Sequence, residues 1–155
     1  MKVCIGITTR NRKNVVVNAI DSALVQNYPH IDIFVFDDGS TDGTFELRLR
    51  YPQIKWERSN ERIGLLQARN YLMKNCQADI FVSLDDDAWF LNNNEIYMAV
   101  EHFKQNSKLA AIAFDILEPN STRNQKSEVE PPVETNFFIG AGHALRIEAV
   151  KKAGY

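Results

Sequence analysis

The sequence predicts an α/β fold in which a mostly parallel sheet carries helices on both faces. Short apolar runs of strand length alternate with stretches whose apolar residues recur at helical spacing, the pattern that builds strand–helix–strand units with right-handed crossovers. The chain has 155 residues, 45% hydrophobic and 25% charged, enough for one domain with its own core. Polar clusters at the carboxyl ends of three apolar runs fall on one predicted edge, where open sheets of this kind bind ligands.

Val3 to Thr8 reads as a short buried strand. Val16, Ala19, Ile20, Ala23 and Leu24 then repeat at helical spacing, with Asn11 as the candidate N-cap and Tyr28-Pro29 as the stop. Ile31 to Phe36 is a second strand, followed by the turn-rich Asp37-Asp38-Gly39-Ser40-Thr41-Asp42-Gly43. A short helix from Thr44 to about Arg50 stops before Pro52, and Ile54 to Trp56 forms a third, outer strand. Leu65, Ala68, Leu72 and Cys76 mark the next helix face. Ile80 to Leu84 is the fourth strand and ends in Asp85-Asp86-Asp87. Ile96, Val100 and Phe103 line a helix capped by one of Asn92, Asn93 or Asn94, and Leu109 to Ile116 is the fifth strand. Residues 117–135 are polar, contain Pro119, Pro131 and Pro132 and show no period, as expected of a functional loop or small excursion. An apolar, glycine-containing run resumes from Phe137 to Leu145, and a short helix begins near Ile147.

The formal net charge is −2, without the basic excess that points to nucleic acid or an anionic membrane, so no nucleic-acid partner is expected. Cys4 and Cys76 lie in apolar stretches and read as reduced core thiols, and no histidine shows zinc-ligand spacing. The sequence opens directly on a strand pattern, and no apolar run approaches the ~20 residues of a membrane span. A cytoplasmic chain is expected, peripheral to the membrane in a full-length protein.

Thr8-Thr9, Asp37-Asp38 and Asp85-Asp86-Asp87 bring five carboxylates to one rim. Like charges at ~4 Å and an effective dielectric near 20 repel by about 4 kcal/mol per pair, so a cation is expected among them. Oxygen-only donors suit Mg²⁺ or Mn²⁺ rather than zinc. On an extended chain Asp85 and Asp87 face one ligand while Asp86 turns aside. The bland reading is an acidic loop meeting only water. Asp38 either accepts the N3–H of uracil or the N1–H of guanine, or serves as the first acceptor of the turn through Gly39.

Thr8-Thr9-Arg10-Asn11, Asp37 through Thr44, Asn60-Glu61-Arg62-Ile63-Gly64 with Ala68-Arg69-Asn70, and Leu84-Asp85-Asp86-Asp87 keep the order and spacing of four motifs. In this the chain resembles the family 2 inverting glycosyltransferases across roughly its whole length, the last stretch matching their DXD motif. The resemblance implies a Rossmann-like GT-A fold, with 1–155 as the donor-binding portion. It implies that a nucleotide-diphosphate sugar binds here, UDP-sugar favoured over GDP-sugar, with a divalent cation, Mn²⁺ or Mg²⁺. Thr8 and Asp38 would hold the base with Asp37 nearby, and Arg69 would lie near the nucleotide or its phosphates. Asp85 would lean towards ribose and metal, and Asp87 would bind the metal directly. The bland reading of Arg69 is a helix-surface residue paired with a carboxylate. Gly64 is expected to permit a close helix approach. Phe138 to Arg146 resembles the family's glycine-bearing strand, where His143 either contacts sugar or diphosphate or is a satisfied core histidine.

In that family a carboxylate after a Gly-Tyr stretch deprotonates the acceptor hydroxyl, whereas this sequence reaches Tyr155 first. The base and most of the acceptor site are therefore expected beyond Tyr155, and the acceptor, whether sugar, lipid or protein, is unspecified. The open edge is expected to favour self-association. The rival readings are a nucleotide-sugar-binding module without turnover and a Mg²⁺-dependent receiver- or phosphatase-like domain. The latter carries an acidic residue after its first strand, where this chain has Thr8-Thr9.

Overall fold

The computed structural model describes residues 1–117, 132–135 and 140–154, and its strands form one six-stranded sheet. The strands are β1 (Val3–Thr9), β2 (Ile31–Asp37), β3 (Lys55–Arg58), β4 (Ile80–Asp85), β5 (Ala111–Ala113) and β6 (Gly142–Arg146), in the spatial order β3-β2-β1-β4-β6-β5. β1 pairs in parallel with β2 and β4, and β2 with β3. β6 runs antiparallel to both β4 and β5. The mostly parallel sheet expected from the sequence is thus present, with one reversed strand wedged in. The chain moves outward through β2 and β3, then crosses to the other side of β1 at β4. That reversal puts the switch point between the carboxyl ends of β1 and β4, where Thr8 stands level with Asp85.

Helices α1 (Val16–Leu24), α2 (Leu65–Asn75), α3 (Glu95–Gln105) and α4 (Ile147–Ala153) cover the two faces. Successive strand side chains point to opposite sides, so β1 serves both cores. Val3, Ile5 and Ile7 pack with Val16, Ala19 and Ile20 of α1 and with Ile96, Val100 and Phe103 of α3. Cys4, Phe34, Phe36 and Phe81 face Ala68 and Leu72 of α2 and Ile147 of α4. Burying each such side chain contributes about 1.5–3 kcal/mol. Gly6 belongs to the second face: a Cβ there would stand 2.5 Å from the Phe81 ring, so only glycine lets that ring lie across β1.

Several local expectations are corrected. Asn11 does not cap α1, which follows Val15 and has no side-chain cap. Asn11 instead adopts a left-handed φ of 52°, and its Oδ1 accepts the Thr41 N–H at 2.7 Å. Asparagine tolerates that conformation, and a residue several positions ahead of the helix cannot reach its first free N–H groups. Asn94 precedes α3 but makes no side-chain cap; Glu95 reaches back to accept the Asn92 N–H at 2.6 Å. Thr44–Leu49 forms a 3-10 helix. β5 spans only Ala111–Ala113 of the expected 109–116, being an edge strand paired solely with the five-residue β6. The helix from Ile147 is present as expected, whereas most of the 117–135 stretch and the start of the run from Phe137 lie outside the described residues.

Cys4 is buried and Cys76 half-buried, and both are free thiols as expected. The Cys76 thiol and burial push the Cys4 thiol well above its ordinary range. Among the described residues no helix is long and apolar enough to cross a membrane.

Candidate functional site

β1, β2 and β4 deliver their carboxyl ends to one edge, and the segments beyond them enclose a cleft of about 400 Å³. Thr8, Asp38, Asp85, Asp86 and Asp87 line it together with Arg12, Arg62 and Leu65. Asp37, Arg69 and His143, also expected at the site, are not part of this lining.

β4 ends at Asp85 and the chain turns at once, the Ala88 N–H donating to the Asp85 carbonyl at 3.1 Å. The alternation assumed for an extended Asp85-Asp86-Asp87 therefore stops at Asp85. Arg69 Nη2 donates to Asp85 Oδ1 at 2.6 Å. Arg12 Nη1 donates to Asp86 Oδ1 at 3.0 Å and to Asp87 Oδ2 at 2.6 Å. The positive charge that these clustered carboxylates demand is supplied by two arginines of the chain itself. They do not fully offset the surroundings, because burial pushes the Asp85 and Asp86 carboxyls above the ordinary range despite the guanidinium groups. The three differ in access: the side chains of Asp86, Asp85 and Asp87 are 12%, 28% and 56% exposed.

The two aspartates at the end of β2, Asp37 its last residue and Asp38 the first beyond it, have separate structural duties. Asp37 is fully buried, its Oδ1 accepts the Ser40 N–H at 2.9 Å, and its Oδ2 lies 3.6 Å from Arg58 Nε. It is Asp37, rather than Asp38, that pins the turn through Gly39, whose φ of 67° suits glycine and whose Cβ would strike the Glu61 backbone at 2.8 Å. Asp38 reaches across to α2: Oδ1 accepts the Ile63 N–H at 2.6 Å and Oδ2 the Gly64 N–H at 3.0 Å. A carboxylate thus satisfies N–H groups at the entry to a helix, where the backbone carries a partial positive charge. Gly64 has no atom within 4 Å of a hypothetical Cβ, so the expected close approach is absent; its φ of 94° is what requires glycine.

Arg69 is 17% exposed in its side chain and pairs with Asp85 beneath the cleft floor, which matches the bland reading of a carboxylate partner. His143 is buried on β6, level with Ser83 of β4. Burial, with the Arg69 charge second, lowers its pKa from the ordinary value, so it is neutral at pH 7. Sequence reasoning did not mark Arg12, and it gave no site role to Arg62, inside the Asn60–Gly64 motif, or to Leu65, which it placed only on a helix face. Arg12 stands one residue beyond the Thr8–Asn11 motif, the one signal that could have marked it.

Asp85 and Asp87 offer only oxygen donors, and Asp87 is open to the cleft, so the residues suit a hard divalent cation that keeps positions for phosphate oxygens. Among the described residues no group of three or more His, Cys, Asp or Glu side chains forms a metal cage by itself.

Comparison with known proteins matches residues 4–151 to the family described as Glycosyl transferase family 2. The chain is 30% identical over 106 residues to an uncharacterized protein of Haemophilus influenzae, covering 62% of this chain and 57% of that protein. It is 31% identical over 112 residues to the UDP-Glc:alpha-D-GlcNAc-diphosphoundecaprenol beta-1,3-glucosyltransferase WfaP of Escherichia coli, covering 69% of this chain and 43% of that protein. Among solved structures, the mannosyltransferase PcManGT of Pyrobaculum calidifontis in complex with GDP-Man and Mn²⁺ superposes with a TM-score of 0.80 at 23% identity, over 99% of this chain and 46% of that one. Residues 1-349 of S. aureus TarS in complex with UDP-GlcNAc also give 0.80, at 16% identity, over 99% of this chain and 47% of that one. The chain spans less than two thirds of the length of each of these proteins.

Proposed function

Because the chain belongs to glycosyl transferase family 2, we propose that its cleft binds a nucleotide-diphosphate sugar, UDP-sugar favoured, for metal-assisted transfer to an acceptor hydroxyl with inversion. The observation that carries this reading is the acidic turn at the switch point between β1 and β4, level with Thr8 and opening into the cleft. Thr8 and Asp38 are proposed at the base, and Asp85 and Asp87 at the metal, with Asp87 the more accessible of the two. When bound, the cation would act as a Lewis acid on the departing diphosphate. Arg69 holds Asp85 at the cleft floor, and Asp37 holds the turn that presents Asp38. The carboxylates Asp38, Asp85, Asp86 and Asp87 are all engaged by N–H donors, so we assign the acceptor base to none of them. Residues 1–155 alone are then proposed to bind donor without efficient transfer, since a positioned base contributes typically 10²–10⁴-fold.

Both a transferase and a binding module without turnover predict donor binding, and measured sugar transfer from a bound nucleotide-sugar donor separates them. The direct test of the site is thermal unfolding with UDP and Mn²⁺ or Mg²⁺. Ligand at a hundred times its Kd stabilises by about 2.7 kcal/mol, and this gain is expected to shrink strongly with a chelator. Equal stabilisation with and without metal would refute a metal–diphosphate site.

A further inference from the structure

We propose that Arg12 is a resident counter-ion that occupies the acidic turn until a divalent cation displaces it. The inference rests on the metal site proposed above, and extends it to a residue that no motif marks.

One nitrogen, Nη1, lies 3.0 Å from Asp86 Oδ1 and 2.6 Å from Asp87 Oδ2, bridging two carboxylates of consecutive residues. Arg12 comes from the loop after β1 and the carboxylates from the turn after β4, so the contact spans 74 and 75 residues of sequence. The two ends of that span are brought together by the β1–β4 pairing, which aligns Thr8 with Asp85. The β1–β4 register therefore sets how near the two segments lie.

A guanidinium proton and a hard cation compete for the same carboxylate lone pairs, because each needs an approach in or near the carboxylate plane at short range. Asp87 cannot give its Oδ2 fully to a metal while Arg12 holds it. Two features make Arg12 removable. Its side chain is 46% exposed and Asp87 is 56% exposed, so water can take over both groups. The guanidinium also carries five N–H donors, so those outside the bridge remain available to another acceptor in the cleft. Arg69 differs on this point, since its side chain is 17% exposed and its partner Asp85 is 28% exposed. The structure thus separates a fixed arginine under Asp85 from an exchangeable one over Asp87. Holding the carboxylates with Arg12 keeps their like charges from driving the turn apart before metal arrives, at the expense of some metal affinity.

The test is Mn²⁺ binding without nucleotide, measured on residues 1–155 by the electron paramagnetic resonance signal of free Mn²⁺, for wild type, Arg12→Gln and Lys13→Gln. Lys13 removes the same charge one residue away but lies against Glu46 at 3.7 Å, not against the acidic turn. Arg12→Gln is expected to tighten Mn²⁺ binding by about three- to tenfold, the range set by the modest strength of exposed ion pairs. Lys13→Gln is expected to change it less than twofold. Unchanged or weaker Mn²⁺ binding in Arg12→Gln, in a wild type that does bind Mn²⁺, would overturn the Arg12 role while leaving the metal site standing. Equal tightening in both variants would also overturn it, since charge alone would then account for the effect. Absence of Mn²⁺ binding by all three proteins, with or without UDP, would instead sink the metal site itself. Far-ultraviolet circular dichroism and the melting temperature of each variant report whether it folds.

Discussion

Replacing Asp38 isolates the link between the turn after β2 and the entry to α2. Its two oxygens accept the Ile63 and Gly64 N–H groups at 2.6 and 3.0 Å, and the residue is buried. Hydrogen bonds to a charged acceptor contribute about 1.5–3 kcal/mol each. Loss of a helix-entry acceptor costs about 0.5–2 kcal/mol when water can enter. Asp38 lines the cleft, so water can reach the vacated space, and Asp38→Ala is expected to cost about 2–3 kcal/mol. Asp38→Asn keeps one acceptor oxygen but turns an NH₂ group towards the other N–H, and is expected to cost about 1 kcal/mol. At about 3 °C per kcal/mol for a chain of this size, the melting temperature should fall by roughly 6–9 °C for alanine and roughly 3 °C for asparagine. Calorimetry or circular dichroism at pH 7 reads both. An Asp38→Ala melting point within about a degree of wild type would refute the helix-entry role, since no gain elsewhere offsets two lost charge-assisted bonds. The same substitution bears on base selectivity. UDP is expected to bind better than CDP, and Asp38→Asn to narrow the gap, but only binding measured well below both melting points separates a lost base contact from a loosened α2.

Three other outcomes follow from the site. Asp86→Asn should raise stability at pH 7, because burial outweighs Arg12 and lifts the Asp86 carboxyl above its ordinary range. A raised carboxyl penalises the fold when ionised, so the gain should vanish as pH falls through the folded pKa, and a loss of stability at pH 7 would count against it. Asp87→Asn should weaken Mn²⁺-dependent UDP binding more than Asp86→Asn does, now on the ground of exposure rather than alternation; equal losses at both would reassign the ligands. His143, neutral in the fold with a lowered pKa, contributes stability that is complete above its unfolded value of about 6.5 and is lost as pH falls below it. His143→Asn should flatten that part of the urea-measured stability profile between pH 7.5 and 5.5, and an unchanged slope would remove the buried neutral histidine as its cause.

The central strands β1, β2 and β4 were legible because they are apolar runs buried along most of their length, and Val3 to Ile7 supply both cores at once. The edge that carries the cleft was legible for the same reason: parallel strands send Thr8, Asp38 and Asp85 to one side whatever the details of the helices. The reversal of β6 was not legible, since the composition of Gly142–Arg146 is the same for either direction and only its position beside β4 decides it. Asn11 was misread because its neighbours suggest a cap, whereas its partner Thr41 lies in a different loop. The Arg12 bridge and the Asp38 clamp depend on contacts across 74 and 25 residues, beyond any local pattern.

Those long-range contacts explain why acidic residues come in runs at these two strand ends. A single carboxylate there would have to serve either the fold or the cleft. At β2, Asp37 goes inward to Ser40 and Arg58, which frees Asp38 to reach the entry of α2 while still lining the cleft. At β4, Asp85 is taken by Arg69, Asp86 is nearly buried beneath Arg12, and Asp87 alone is more than half exposed. In each run the earlier residue secures the chain where it leaves the sheet, and the later one faces the opening. Burial raises the cost of ionising Asp85 and Asp86, and Asp87 is the most exposed side chain of the three. In the proposed metal site, the group best placed to exchange an internal cation for an external one is therefore the last of the three, and the cation it would exchange is the guanidinium of Arg12.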